Sequence, residues 1–191
     1  MKRKQLAAFA LGLLVSLPLW ATEVAGVKFE DKLSDGGNEL VLNGAGLRKK
    51  LVFKVYAMGL YLPARAGTPG EILNGKGARK IQIVTLRDLT ADQLAEALEK
   101  GVEENSTALE LAKIRDRLNE FRATLISMQK IPEKSAIRID WTGNETRVFV
   151  NGMQQGKDIA GADFFQALLR IWIGEKPAQD DLKEALLGKA H

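Results

Sequence analysis

The chain of 191 residues has no cysteine, a single histidine, two tyrosines and five prolines. Without cysteine there can be no disulfide and no thioether-linked lipid, a composition that suits an oxidising compartment without requiring one. The histidine is the terminal residue, His191, so a histidine-based triad or a zinc site would have to be built on the chain end. Neither a Walker loop nor a dinucleotide fingerprint occurs, and Gly44-Ala45-Gly46 lacks the strand-then-helix setting that a phosphate cradle needs. Carboxylates are numerous, but they alternate with lysines and arginines along helical segments, and none stands out as half of an acid/base pair. No cofactor and no metal are expected. Repeats and low-complexity linkers are also missing.

An excess of charge of either sign is lacking too, once the N-terminus is set aside. Lys2, Arg3 and Lys4 precede an apolar run from Leu6 to Trp20 that Gly12, Ser16 and Pro18 interrupt. The run is shorter than the roughly 20 residues a membrane span needs, and the order of charge, apolar run and small residue is that of a secretory leader ending at Ala21. Residues 1–21 are thus expected to be a signal peptide, and 22–191 one mature domain, periplasmic or secreted, with no span after cleavage. Without the leader's three cations, 25 lysines and arginines face 24 acids. No basic field remains to attract nucleic acid. The remaining 170 residues suffice for one domain that buries roughly 70% of its unfolded surface without staples, and a monomer is expected.

What is present reads as strands, helices, strands, then helices. Val24 to Leu33 and Asn38 to Leu47 alternate weakly around Asp35-Gly36-Gly37-Asn38, predicting a hairpin. Pro63, Gly67, Pro69 and Gly70 end the next strand and introduce a short helix near 71–73, and Lys80 to Arg87 alternates as a further strand. Thr90-Ala91-Asp92-Gln93 and Thr107-Ala108-Leu109-Glu110 are capping boxes, each opening a helix. The second carries Leu111, Ile114, Leu118, Phe121, Leu125 and Met128 at helical spacing, a stripe suited to packing on a sheet. Ser135 to Trp141 and Glu145 to Lys157 supply closing strands, with a hairpin at Asn151-Gly152. Phe164, Phe165, Leu168, Leu169 and Trp172 mark a helix over 162–173 that Gly174 stops, and Pro177 opens a last helix ended by Gly188.

The segment Leu42 to Pro63 is the most distinctive. From Leu51 to Leu62 neither parity is consistently polar, which predicts a strand inside a sheet. Gly44 and Gly46 are expected to form a tight turn that aims Arg48 inward, just before that strand. Two plainer readings stand beside this one. Arg48-Lys49-Lys50 also reads as an ordinary solvated run, and Tyr56 as core filler whose hydroxyl bonds backbone.

The stretch GAGLRKK…FKVYAMGLYL resembles the signature of the chalcone isomerase superfamily, in the form of its non-catalytic, fatty-acid-binding and bacterial isomerase-like members. EKGVEENSTAL at 99–109 and FFQALLRIWIGEKPAQDDLKEALL at 164–187 agree with it in order. The resemblance spans roughly Val24 to Leu187. It implies an α+β domain, an antiparallel sheet covered on one face by helices as an open-faced β-sandwich. By motif, the family's arginine falls on Arg48 and its cleft-lining asparagine on Asn105. Its threonine position is Tyr56, its catalytic tyrosine position Leu98, and its closing-helix Ser/Thr position Ile171.

Ring closure of a chalcone needs polar groups to orient the substrate and hold developing charge, and two of those positions are aliphatic here. An arginine fork beside a phenol at the inner end of an apolar cleft suits a carboxylate. The resemblance therefore implies a small amphipathic partner, a fatty acid or similar carboxylate, bound by Arg48, Tyr56, Asn105, Leu98 and Ile171. Two alternatives stay open: an isomerase or lyase on a small unsaturated carbonyl compound, with Arg48 holding the oxyanion and Tyr56 giving the proton, and a ligand-free structural or interaction module.

Overall fold

The computed structural model describes residues 21–35 and 37–189; the leader 1–20, Gly36 and the terminal pair that includes His191 lie outside the described residues. Among the described residues eleven strands and five helices follow one another as five strands, one short helix, two strands, two helices, four strands and two helices. Seven strands make one fully antiparallel sheet. Their spatial order is β11 (Met153–Ala160), β10 (Glu145–Val150), β9 (Ala136–Trp141), β6 (Arg79–Thr85), β5 (Phe53–Leu62), β4 (Asn38–Lys50), β3 (Lys32–Asp35).

The expected first strand is divided. Ala25 and Gly26 adopt positive φ and fold β1 (Ala21–Val24) back on β2 (Val27–Glu30) as a separate hairpin. Phe29 of that hairpin is fully buried with Leu40, Leu42, Ala57 and Tyr61, a small second core on the far face of the sheet. The one hint in the sequence is parity: Val27, Phe29 and Leu33 alternate together, whereas Val24 would fall on the opposite face of a continuous strand.

The near face carries the main core and the helices. α2 (Ala91–Glu104) and α3 (Ala108–Ser127) both start with the capping boxes expected of Thr90 and Thr107, and α3 buries Ile114, Leu118, Phe121 and Leu125 as its stripe requires. α1 (Pro69–Asn74) is capped by Thr68, whose hydroxyl accepts from the Glu71 N–H. α4 (Ala162–Ile173) is almost wholly buried and ends where Gly174 was expected to end it. At the turn between β10 and β11, Asn151 and Gly152 take φ of 49° and 83°, the geometry a two-residue hairpin asks for.

α5 (Asp180–Leu186) begins three residues after Pro177, later than expected, because Ala178 N–H donates to the Ile171 carbonyl and keeps that stretch extended against α4. The largest correction concerns Gly44 and Gly46. They lie inside β4, not in a turn. A Cβ on Gly46 would stand 2.8 Å from Ala185 Cβ and Leu182 Cδ1, and one on Gly44 would strike the Ala185 carbonyl. Close approach of α5 to bare backbone, the second use of glycine, is what these positions serve. The true turn is Leu51-Val52, so β5 starts at Phe53.

Among the described residues no helix is long and apolar enough to cross a membrane.

Candidate functional site

Arg48 on β4 lies directly opposite Tyr56 on β5, and Tyr56 directly opposite Thr85 on β6. Residues paired in this way share a face of the sheet, so the three form a row. Their face is that of Met58 and Leu60, two and four residues along β5, which lie in the core beneath the helices. A β-bulge sets this for β4: Leu42 pairs with Tyr61 and Gly44 with Leu60, leaving Asn43 as an extra residue. Leu42 therefore belongs to the far core, while Gly44, Gly46 and Arg48, of the same parity in sequence, face the helices.

Between this row and the helices lies a cavity of about 580 Å³. Its deep wall is apolar: Ile83, Ile137 and Ile139 from the sheet, Phe121 and Leu125 from α3, and the expected Leu98 and Ile171 from α2 and α4, all buried. Its exposed rim is charged, with Lys50, Arg87, Lys100 and Lys176 outnumbering Glu96 and Glu104. Tyr56 and Arg48 stand between the two zones, both half-buried.

The phenol oxygen of Tyr56 accepts a hydrogen bond of 2.8 Å from Trp172 Nε1. Burial pushes its pKa up, against smaller downward pulls from the Trp172 bond and the Arg48 charge. The group is accordingly a neutral phenol whose own O–H can donate to a ligand. Arg48 Nη1 donates to the Lys49 carbonyl and, at 3.3 Å, to Gln179 Oε1. A guanidinium has five N–H donors, so the outer nitrogens can still offer a fork to an oxyanion. Arg48 is not sunk to the cavity floor. It stands near the open end of β4, three residues before the exposed Leu51, where it meets water as well as ligand space.

Gln179 holds this end of the site together. Its Oε1 accepts from the Lys49 N–H at 2.7 Å and its Nε2 donates to the Leu47 carbonyl at 3.2 Å, pairing with the backbone of β4 as a further strand would. Thr85 lines the cavity, but its hydroxyl donates to the Pro132 carbonyl at 2.7 Å and accepts from the Ser135 N–H at 2.9 Å.

Asn105 is elsewhere. It caps the C-terminus of α2 off the cavity wall. Its Nδ2 donates to the carbonyls of Gly101 and Lys176, and its Oδ1 accepts from the Lys176 N–H at 2.9 Å. The amide thus ties α2 to the loop after α4 and has no group turned toward a ligand.

Trp172 and Gln179 were not legible as site residues. The tryptophan sits in an apolar helical stripe and reads as packing; the one hint is that a buried indole N–H needs an acceptor. Gln179 lies 131 residues from Arg48, and nothing local announces the pairing.

Three likenesses bear on this geometry. The fold matches that of the Arabidopsis thaliana fatty-acid binding protein AtFAP1 with a TM-score of 0.66 and 19% identity, over 85% of this chain and 92% of that one. A C alpha-dehydrogenase of Sphingobium is 31% identical over 103 residues, which are 49% of this chain; the match spans only 34% of that protein's length. Residues 21–188, nearly everything described above, match the chalcone isomerase-like family, and the chain belongs to it.

Proposed function

We propose that the protein binds a fatty acid or a similar amphipathic carboxylate, its headgroup between Arg48 and the Tyr56 hydroxyl and its tail along Leu98, Ile171, Phe121 and Leu125. The observation that carries this reading is the direct pairing of Arg48 with Tyr56 between the charged rim and the apolar deep wall of the cavity. A volume of about 580 Å³ lies within the range of roughly 300–1,000 Å³ usual for small-molecule pockets. Ten buried methylenes at about 0.8 kcal/mol each contribute a gross of roughly 8 kcal/mol before ordering costs, so the tail supplies affinity. The cation and the phenol supply direction. The fatty-acid-binding neighbour of the same fold supports the assignment, and Leu98 and Ile171 leave the cavity's middle without groups to orient a polyphenol. The leader-like sequence at 1–21 supports a periplasmic or extracellular setting for this binding.

The test is titration of delipidated protein with long-chain fatty acids, followed by calorimetry. Saturable binding is expected, with Arg48→Ala weakening it at least about tenfold, as loss of a charge-assisted hydrogen bond implies. Tyr56→Phe should weaken it less. Absence of saturation, or affinity indifferent to Arg48→Ala, overturns the proposal, and turnover of a chalcone panel abolished by Tyr56→Phe replaces it with the isomerase reading.

A further inference from the structure

Among the described residues, three of the five exposed large hydrophobic residues are consecutive. Leu51, Val52 and Phe53, at 89%, 86% and 56% exposure, form the tip of the β4–β5 hairpin. Single exposed apolar groups are ordinary, but three in a row at the end of a projecting hairpin form a patch that water disfavours. Leu51 makes the arrangement more pointed. Its φ is 56°, in the left-handed region where a bulky side chain is strained and where glycine or asparagine would sit with less cost. The fold gains nothing visible from leucine there, since the side chain packs on almost nothing.

The surroundings of the tip are of one sign. Lys49, Lys50 and Lys54 flank it on the same hairpin, and Arg87 lies over the Phe53 ring with 5.2 Å from its guanidinium carbon to the ring centroid. None of these four has an ion-pair partner among the described residues, and the sequence from Leu40 to Gly70 contains no acid at all. An apolar tip ringed by unpaired cations matches one kind of surface: a bilayer with anionic headgroups, into which leucine, valine and phenylalanine insert while lysines and arginine meet phosphate. The tip also adjoins the cavity. Lys50, Val55 and Arg87 line the cavity mouth.

We infer that the Leu51-Val52-Phe53 hairpin tip is a docking element for anionic phospholipid membranes, setting the mouth of the cavity against the lipid surface. The docking stands on the hairpin alone; only its use, exchange of an acyl ligand with the membrane, rests on the proposed function. The two are separable by experiment, because vesicle binding needs no ligand and fatty-acid titration needs no vesicle.

The absence of cysteine allows the hairpin to be read directly. An environment-sensitive fluorophore on Val52→Cys, in the full chain, should brighten and shift to the blue with vesicles containing phosphatidylglycerol, and should respond weakly to pure phosphatidylcholine. The same fluorophore on Met153→Cys, an exposed apolar residue next to the β10–β11 turn, should not respond. High salt should weaken the anionic-vesicle response, since exposed charges are screened. Leu51→Asn combined with Val52→Ser should lower vesicle partitioning on the order of tenfold through lost apolar insertion, while thermal stability is kept or raised because asparagine tolerates positive φ. The inference is overturned by a silent probe at 52, by equal responses at 52 and 153 or with neutral vesicles, or by partitioning unchanged in the double variant. A probe response that grows with protein concentration in the absence of lipid, with a dimer in sedimentation, also overturns it and assigns the tip to a second copy of the chain.

Discussion

At the scale of single residues, the site separates side chains that look alike in sequence. Asn105 and Gln179 are both amides near helix ends, yet the first fastens α2 to the following loop and the second fastens the strand that bears Arg48. Asn105→Ala should therefore cost about 1–3 kcal/mol of stability, through unsatisfied backbone groups at Gly101 and Lys176. Fatty-acid affinity should stay within about twofold, because the removed amide is off the cavity wall. Denaturant melts and calorimetry on the same variant check both halves, and a large affinity loss without destabilisation would return Asn105 to the site. Tyr61 offers a different contrast. Its phenol is buried on the far face, raised in pKa chiefly by burial and then by Glu30 and Asp31, and its hydroxyl finds no hydrogen-bond partner among the described residues. Tyr61→Phe should leave stability unchanged or raise it slightly, as measured by thermal unfolding.

At the scale of elements, the contact of α5 with β4 governs the polar end of the cavity. Gly44→Ala puts a methyl against the Ala185 carbonyl, a backbone atom that cannot rotate away, so the helix must move. A loss of about 1–3 kcal/mol is expected for such overpacking. Because Gln179 directly precedes α5 and holds Arg48 and Lys49, ligand affinity should fall with it; an affinity unchanged in a destabilised Gly44→Ala protein would show that the Gln179 link does not matter. The elements themselves were largely legible. Capping boxes at Thr90 and Thr107, the Asn151-Gly152 turn and the stripe of α3 carry their signals within a few residues, and each formed where expected. Less legible were features decided across the fold. Gly44 and Gly46 announce backbone freedom but not whether a turn or an approaching helix uses it, and the bulge at Asn43 depends on how its neighbours Leu42 and Gly44 pair with Tyr61 and Leu60 across the hairpin. The placement of Arg48 suffered from the same cause. Its pairing with Tyr56 follows from the ladder, whereas its depth follows from where the hairpin turns, and a Leu51-Val52 turn is a poor match to any turn rule.

At the scale of the whole molecule, several ion pairs tie helices and strands to one another at the surface. Glu110, at the start of α3, has its carboxyl lowered from an ordinary 4.5 to about 2 by the Thr107 backbone N–H first, then by Arg170 of α4 and the Thr107 hydroxyl. Asp163 is lowered chiefly by Arg117, Asp158 by Arg147 and Asp88 by Lys130. For each the folded pKa lies below the unfolded one, so the contribution is complete above the unfolded value and is lost as pH falls through the folded value. Stability should hold from neutrality to about pH 5 and then decline. For Glu110 the decline runs from near 4.5 down to about 2. Glu110→Gln should flatten that part of the curve in denaturant melts taken across pH. Because these groups lie near the surface, salt should shrink the effect, and an acid limb insensitive to both changes would contradict the assignment.

A different set of fastenings answers to none of this. Asn43 clasps the backbone N–H and carbonyl of Ala66, Asn105 those of Lys176, and Gln179 the Leu47 carbonyl and the Lys49 N–H. A carboxamide neither takes up nor releases a proton anywhere in the physiological range. The seams along β4 and behind α4 are thereby blind to acidity. When acid loosens the outer ties of the helices, the rivets beside the arginine stay closed, and the binding end of the domain should be the last part to come undone.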